Sequence, residues 1–213
     1  MTPIEDAVDA VRRGELIVFP TDTVYGIAAR PDDPSATARL FEAKRRSRER
    51  ALPVLVANAE VAHALARFDD RADRVCASWP GALTVVLPRT DVSRRWELGG
   101  DPDTIGLRAP RHPLATAVLL AAGPLATTSA NRSDEPPART CDELQQAFGD
   151  SVAVYLCQDD PAGSAVGVAS TVIDLAHGRA RIVRAGGVDA RRVAELLGDE
   201  VPLLDSPSSG PSG

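Results

Sequence analysis

The chain has 213 residues and a formal net charge of -6, and its charged and hydrophobic fractions, 25% and 44%, are those of an ordinary globular protein. Aromatic residues make up only 4%, so stacking platforms for single-stranded nucleic acid are scarce, and the negative charge excludes a surface that is basic throughout. The first residues lack the basic and apolar pattern of a secretion signal, and no apolar run reaches the roughly 18 residues of a membrane span. We therefore expect a cytoplasmic protein without membrane contact.

The cysteines and histidines do not indicate a metal or redox centre. Three cysteines lie far apart without a C-x-x-C spacing, and three histidines lack the spacing of metal ligands: Cys76, Cys141 and Cys157, and His63, His112 and His177. We expect reduced thiols and no metal held by protein ligands. One domain over residues 1–200 is predicted, followed by a flexible Ser/Pro/Gly-rich tail over 201–213.

The first half of the chain alternates short apolar runs with helical patterns. A buried strand is predicted at 16–19, and a helix begins after Asp33, whose side chain can cap it. A strand at 54–57 follows. Asn58 can cap the next helix, whose apolar stripe continues to Trp79.

The second half continues the interleaving. Strands are predicted at 83–87, 104–109, 125–128, 152–156, 171–175 and 180–183, and helices at 113–122, 140–149 and 189–198. Thr140 and Glu143 have the spacing of a capping box. Because the strands and helices alternate without strict regularity, we predict an α/β (α+β) class with a twisted, mixed β-sheet.

Two polar segments follow predicted strands, where open α/β sheets bind ligands. The segment 20–26 carries two threonine hydroxyls, the Asp22 carboxylate and a glycine, which suit a ligand loop or a turn bonded to its own backbone. The segment 126–133, with Ser129 and Asn131, offers small side chains and backbone N–H groups. These groups can form an anion site, although they also occur in plain loops.

Several basic features point to phosphate or carboxylate binding. Residues 44–50 hold five positive charges and one negative charge, which suits a triphosphate or an RNA backbone, but also a solvated helix face. Arg108 interrupts an apolar strand and therefore requires a ligand anion or an internal salt bridge. Ser170 opens one strand and Arg184 closes the next, and a turn explains both residues equally well.

The familiar catalytic patterns are absent from the sequence. It contains no G-x-S-x-G, H-E-x-x-H or G-x-G-x-x-G motif, and its acidic residues are scattered. Hydrolase, zinc-protease, dinucleotide-binding and glycosidase functions therefore lack support. The residues alone indicate an α/β protein that binds phosphate and carboxylate groups.

Taken in order, the motifs resemble those of the YrdC/Sua5 family of threonylcarbamoyl-AMP synthases. They span about residues 14–187 and comprise 20–26, 44–46, 79–84, 108–113, 129–131, 170–172 and 184–186. The resemblance implies the short, single-domain form, with a YrdC-like sheet and flanking helices around a basic concave cavity. It also implies synthesis of threonylcarbamoyl-AMP and pyrophosphate from L-threonine, bicarbonate and ATP, for threonylcarbamoyl modification of tRNA.

The resemblance also implies site residues and partners. An L-threonine pocket is expected from Thr23, Arg108, Thr127 and Ser170, with Arg108 on the substrate carboxylate. ATP contacts are expected from Lys44, Arg46, Arg50, Thr104, Ser129, Asn131 and Arg184, with Lys44 and Arg46 positioning the reactants. No catalytic acid, base or nucleophile is expected. Mg²⁺ would arrive with ATP, separate transferase proteins would complete the modification, and residues 44–50 are the candidate contact to tRNA or double-stranded RNA.

The sequence departs from the family pattern at two places, and two alternative functions remain open. The segment 51–55 lacks a histidine that some members place there. Asp134 replaces a family glycine, so that either ATP binding is weaker or this loop lies slightly away from ATP. A non-catalytic module for double-stranded RNA or tRNA is one alternative. A relative that forms carbamoyl-adenylate from carbamoyl phosphate is the other.

Overall fold

The computed structural model describes residues 2–132, 138–157 and 167–198. Its helices are α1 Pro3–Arg12, α2 Pro34–Lys44, α3 Ala59–Leu65, α4 Asp70–Cys76, α5 Pro113–Ala122, α6 Cys141–Phe148 and α7 Ala190–Leu197. Its strands are β1 Ile17–Phe19, β2 Gly26–Ala29, β3 Val54–Leu55, β4 Leu83–Pro88, β5 Thr104–Arg108, β6 Leu125–Ser129, β7 Val154–Tyr155, β8 Thr171–Asp174 and β9 Arg181–Arg184. Asp134 and the predicted tail over 201–213 lie outside the described residues.

The strands form one mixed sheet in the order β7-β1-β2-β6-β3-β5-β4-β8-β9. Strand β1 is parallel to β7, β3 to β5 and β4 to β8, and the other neighbours are antiparallel. The predicted mixed sheet with flanking helices is therefore confirmed.

One face of the sheet carries the larger core. Apolar side chains of the central strands pack there against those of α2, α3, α4, α6 and α7, including Val54, Val85, Leu107, Leu40, Leu65, Val75, Leu144 and Val193. Fully burying an aliphatic side chain stabilises the fold by about 1.5–3 kcal/mol, so this face holds most of the apolar stabilisation.

The opposite face is covered over part of its width. A second cluster joins α1 and α5 to β1, β2, β3 and β6, and it includes Phe19, Leu55 and Leu125. Arg108 pairs in register with Leu55 and so projects from this same face. The polar side chains around Arg108 on β5 and Thr84 on β4 thus lie beside the apolar part of the face.

Most predicted elements are confirmed, with three differences. The apolar stripe predicted to run from Asn58 to Trp79 as one helix is wrong, because Ala66 is extended and Asp69 caps a separate α4. Helix α1 was not predicted, although Thr2 and Glu5 form the same kind of capping box as Thr140 and Glu143. Strand β2 was not predicted because its small residues follow the polar loop directly.

The expectation of reduced thiols is wrong for two of the three cysteines. Cys141 begins α6 and Cys157 follows β7, and the fold brings their Cα atoms to 5.7 Å, where they form a disulfide. Their separation of 16 residues in the chain did not indicate this proximity. Cys76 is unbonded and buried in the core, and burial raises its thiol pKa to about 12.

The end of β9 lies unusually close to the start of β8. A Cβ atom at Gly186 would lie 2.3 Å from the carbonyl oxygen of Ala169 and 2.5 Å from the backbone nitrogen of Thr171. Gly187 N also donates to Ala169 O at 2.9 Å. Only glycine permits this approach, which holds Arg184 against the segment before β8.

We predict that Gly186→Ala lowers the free energy of unfolding by about 1–3 kcal/mol, because the added methyl forces the two backbone segments apart. Urea denaturation of both proteins measures the change. Gly81→Ala is the matched control, since a Cβ there meets its nearest atoms at 3.9 Å. Equal stability of Gly186→Ala and wild type would contradict the close packing.

Candidate functional site

A cavity of about 150 Å³ opens on the polar part of the second sheet face. Its wall is formed by the loop after β1, the segments after α2 and before β8, parts of strands β2 to β6, and the end of β9. The lining residues are Thr21, Thr23, Val24, Gly26, Arg46, Pro53, Leu55, Thr84, Arg108, Thr127, Thr128, Ser129, Ala169, Ser170 and Arg184. Sites for drug-sized ligands enclose about 300–1,000 Å³. This cavity therefore suits a molecule of amino-acid size, and any larger ligand must extend beyond it.

Arg108 is the central cation of the wall. It is 6% exposed, and its guanidinium donates from Nε to Gly81 O at 2.9 Å, from Nη1 to Thr23 Oγ1 at 2.8 Å and from Nη2 to Asp22 Oδ1. The internal salt bridge that the sequence left open is thus formed, and its partner is Asp22. Burial lowers the pKa of Arg108, while the Asp22 charge opposes that shift and keeps the ion pair intact.

The salt bridge and the neighbouring hydrogen bonds engage only some of the N–H donors of Arg108. Arginine has five N–H donors. Three have acceptors here, so two N–H groups of Arg108 have no acceptor among residues 2–132, 138–157 and 167–198. Two N–H groups of one guanidinium are what a carboxylate needs for bidentate binding.

The hydroxyl of Thr23 faces the cavity as an acceptor. Thr21 Oγ1 donates its single proton to Val24 O at 2.6 Å, so in the 3.0 Å contact between the two hydroxyls Thr23 must be the donor. The Thr23 oxygen already accepts from Arg108, which leaves it one lone pair and no proton. A ligand N–H is the complementary group.

Thr127 has the same character on the other wall of the cavity. Its hydroxyl donates to Leu125 O at 3.0 Å, and its backbone N–H donates to Pro53 O at 2.8 Å. The Thr127 oxygen therefore offers lone pairs, but no proton, to the cavity. Thr23 and Thr127 together suit a ligand amine.

Two further guanidinium groups make the wall positive. Arg184 donates from Nε and Nη2 to Ser170 O, and from Nη2 to Ser170 Oγ at 3.0 Å. Burial lowers the pKa of Arg184, and burial together with the charges of Arg50 and Arg184 lowers the pKa of Arg46. Because Arg184 also acts on Arg108, an anion that enters the cavity relieves repulsion among three cations.

Lys44 supports the loop after β6. It is 2% exposed, and its Nζ donates to Ser129 O at 2.7 Å, to Asn131 O, and to Asn131 Oδ1 at 3.1 Å. Ser129 lines the cavity, whereas Lys44 and Asn131 lie outside its wall. The hydrogen bonds of Lys44 thus fix the position of Ser129, a role that the basic run 44–50 alone did not indicate.

Seven of the eleven predicted site residues lie together on the cavity wall: Thr23, Arg46, Arg108, Thr127, Ser129, Ser170 and Arg184. Lys44, Arg50, Thr104 and Asn131 do not. Arg50 is exposed, although its carbonyl oxygen accepts from Arg46 Nε at 3.0 Å. Thr104 shares a sheet face with Arg108, but four residues of strand place it about 13 Å away.

Two residues of the site were not among the eleven predicted site residues. Asp22 lay in the predicted ligand loop, but its partner is 86 residues away in the chain. Thr84 closes the 79–84 motif and lines the cavity, where its hydroxyl contacts Ser170 Oγ at 2.8 Å. Each residue lies in a segment that was predicted to be functional. Its partner is distant in the chain, and only the fold brings the two side chains together.

No cluster of three or more His, Cys, Asp or Glu side chains that could hold a metal ion lies in the part of the chain that the structure describes. Among those same residues, each helix is too short or too polar to cross a bilayer.

We predict that Lys44→Met lowers the free energy of unfolding by about 1–3 kcal/mol, because buried carbonyl oxygens at Ser129 and Asn131 lose their donor. Arg45→Met is the control, since Arg45 is the adjacent exposed cation and its loss should change stability by no more than about 0.5 kcal/mol. Chemical denaturation compares the three proteins. Equal stability of the two variants would show that Lys44 does not support the loop.

The comparisons with known proteins agree with this architecture. A family model of Sua5, YciO and YrdC proteins, described as "Telomere recombination", matches residues 9–186. A curated Mycobacterium tuberculosis protein is 41% identical over 203 residues, which cover 94% of this chain and 92% of the relative. A Pyrococcus abyssi protein named threonylcarbamoyl-AMP synthase is 34% identical over 199 residues, 92% of this chain and 57% of that protein.

The fold is also that of a solved relative. The crystal structure of P. abyssi Sua5 complexed with L-threonine superimposes with a TM-score of 0.85 and 33% identity over 94% of this chain. The chain spans 58% of the length of that protein. The resemblance drawn from the sequence motifs is confirmed, and the chain belongs to the Sua5/YciO/YrdC family.

Proposed function

We propose that this chain is an L-threonylcarbamoyladenylate synthase, which forms threonylcarbamoyl-AMP and pyrophosphate from L-threonine, bicarbonate and ATP. The observation that carries the proposal is buried Arg108, which lines a cavity of amino-acid size and has two N–H groups without an acceptor among the described residues. Family membership supports it, as do the name of the P. abyssi relative and the L-threonine bound to P. abyssi Sua5.

The donors and acceptors of the cavity match an α-amino acid. The substrate carboxylate would accept two hydrogen bonds from Arg108. The amine would donate to Thr23 and Thr127, whose hydroxyls have lone pairs to offer but no protons. This arrangement would hold the amine by two N–H groups, so that the nitrogen of the neutral amine keeps its lone pair for carboxylation.

The charges of the site also fit the substrates. Asp22 balances Arg108, so a bound carboxylate adds one negative charge, which Arg46 and Arg184 can offset. The cavity volume is large enough for the amino acid but too small to hold a nucleotide in addition. We therefore place the triphosphate of ATP at the mouth of the cavity near Arg46, Arg184 and Ser129, with the rest of the nucleotide running along the sheet face toward Thr104.

The reaction needs positioning more than a catalytic base. The threonine amine, after losing one proton to solvent, reacts with bicarbonate to form a carbamate and water, and a carbamate oxygen then attacks the α-phosphorus of ATP, so that pyrophosphate leaves. Bringing these groups together and stabilising phosphoryl charge are the contributions expected of the cationic wall. Mg²⁺ would enter on the triphosphate.

The later steps of tRNA modification would involve other proteins. Separate transferases would move the threonylcarbamoyl group to tRNA adenosine, and this function places the protein in the cytoplasm. Arg45, Arg48 and Arg50 are exposed, lie near Arg46 of the cavity wall in the chain, and are the candidate contact to tRNA.

The first experiment measures pyrophosphate release by purified protein with L-threonine, bicarbonate and MgATP. We expect release that depends on threonine and on bicarbonate. No release above the control without threonine would contradict the synthase function, and salt-sensitive retention of tRNA by the same sample would then favour an RNA-binding module. Product formed from carbamoyl phosphate instead of bicarbonate and threonine would favour the carbamoyl-phosphate-dependent relative.

We predict that Arg108→Lys weakens L-threonine binding by about 10- to 100-fold, which is the usual 1.5–3 kcal/mol of a hydrogen bond to a charged group, and leaves MgATP affinity nearly unchanged. Lysine keeps the charge but loses the fork. Titration calorimetry measures both affinities, with Arg111→Lys as a control, because Arg111 is exposed and lies outside the cavity wall. Unchanged threonine affinity would show that Arg108 has only a structural role.

A further inference from the structure

We propose that Thr84 is a specificity-determining residue, whose hydroxyl donates a hydrogen bond to the side-chain hydroxyl of the bound amino acid. This assignment rests on the proposed function, because it takes the ligand to be L-threonine held by Arg108. It adds a residue of β4 to a pocket otherwise expected from the loop after β1 and from β5, β6 and the start of β8.

The sheet brings Thr84 and Ser170 together. Strands β4 and β8 are parallel, with Thr84 opposite Val172, so the residue before β8 reaches the start of β4. The two hydroxyl oxygens lie 2.8 Å apart, and Thr84 and Ser170 are only 4% and 5% exposed. Both residues line the cavity. Their hydroxyls therefore serve each other and the cavity rather than bulk water.

Arg184 sets the direction of this chain of hydrogen bonds. A guanidinium can only donate, so Ser170 Oγ accepts from Arg184 Nη2 at 3.0 Å. Donation from a cation polarises the Ser170 hydroxyl and strengthens its own donation to Thr84. The favoured sequence of donors is thus Arg184, then Ser170, then Thr84.

One proton remains at the end of the chain. With this direction of donation, Ser170 gives its proton to Thr84, and the Thr84 proton has no acceptor among the described residues. A Cβ built on Gly106 would lie 3.5 Å from the Thr84 methyl, so the bare glycine beside Thr84 leaves room for that methyl. The Thr84 hydroxyl is left to donate to a ligand in the cavity.

The amino acid offers one matching acceptor. Its carboxylate is taken by Arg108, and its amine by Thr23 and Thr127. The β-hydroxyl is the remaining polar group of L-threonine, and without a partner it would be buried at a cost of about 1–3 kcal/mol. A site built to bond a substrate hydroxyl also discriminates against analogues that lack it, since its own buried donor is then left unpaired.

The test compares dissociation constants for L-threonine and L-2-aminobutyrate, which lacks the hydroxyl, in wild type, Thr84→Val and Thr84→Ser. We expect wild type to prefer L-threonine, and Thr84→Val to lose about 10-fold in L-threonine affinity while its affinity for L-2-aminobutyrate changes less than about 2-fold. Thr84→Ser should keep the wild-type preference. Thr116→Val, a matched change at a half-buried position of α5, should alter neither affinity.

Each other outcome overturns the assignment. Equal losses for both amino acids in Thr84→Val would indicate a packing role, and unchanged L-threonine affinity would show that Thr84 does not donate to the ligand. If Thr84→Val fails to fold, a folded Thr84→Ser protein that no longer prefers L-threonine over L-2-aminobutyrate would also overturn the assignment. Wild type that binds neither amino acid would instead overturn the proposed function, and the role of Thr84 with it.

Discussion

The buried guanidinium of Arg108 is the constraint on which the site depends. A charge at 6% exposure is tolerated only when it is paired and hydrogen-bonded, and here Asp22, Thr23 and Gly81 provide those partners from two separate loops. The same contacts fix the orientation of the fork that faces the cavity. Because three donors are held and two have no acceptor among the described residues, one side chain can serve both folding and the ligand binding that we propose.

Support for this arrangement comes from elements outside the cavity. Lys44 at the end of α2 holds the loop that carries Ser129, and Gly186 lets the end of β9 approach the segment before β8. Arg184 and Ser170 are thereby held in contact. A site whose polar groups are already ordered loses less entropy when the ligand binds, which is why such supports affect affinity without touching the ligand.

Sequence reasoning recovered most of the fold and much of the cavity wall, because strand ends and polar loops have local signals. Arg108 was recognisable as a charge in an apolar strand, but its partner Asp22 was not, since the pairing joins residues 86 positions apart. The basic run predicted a nucleotide contact at Lys44, but it did not indicate the hydrogen bonds of that ammonium to Ser129 and Asn131. Charge is visible in a sequence, and side-chain direction is set by tertiary packing. The Cys141–Cys157 disulfide escaped prediction for the same reason.

The central claim is that the two unengaged N–H groups of Arg108 hold the carboxylate of an amino acid. Titration calorimetry of the wild-type protein with L-threonine and with L-threoninamide tests it most directly, because the amide keeps the amine and the hydroxyl but has no anionic carboxylate. We expect L-threonine to bind at least about 10-fold more tightly, in line with the loss of charge-assisted hydrogen bonds. Equal affinity for the acid and the amide would contradict the account.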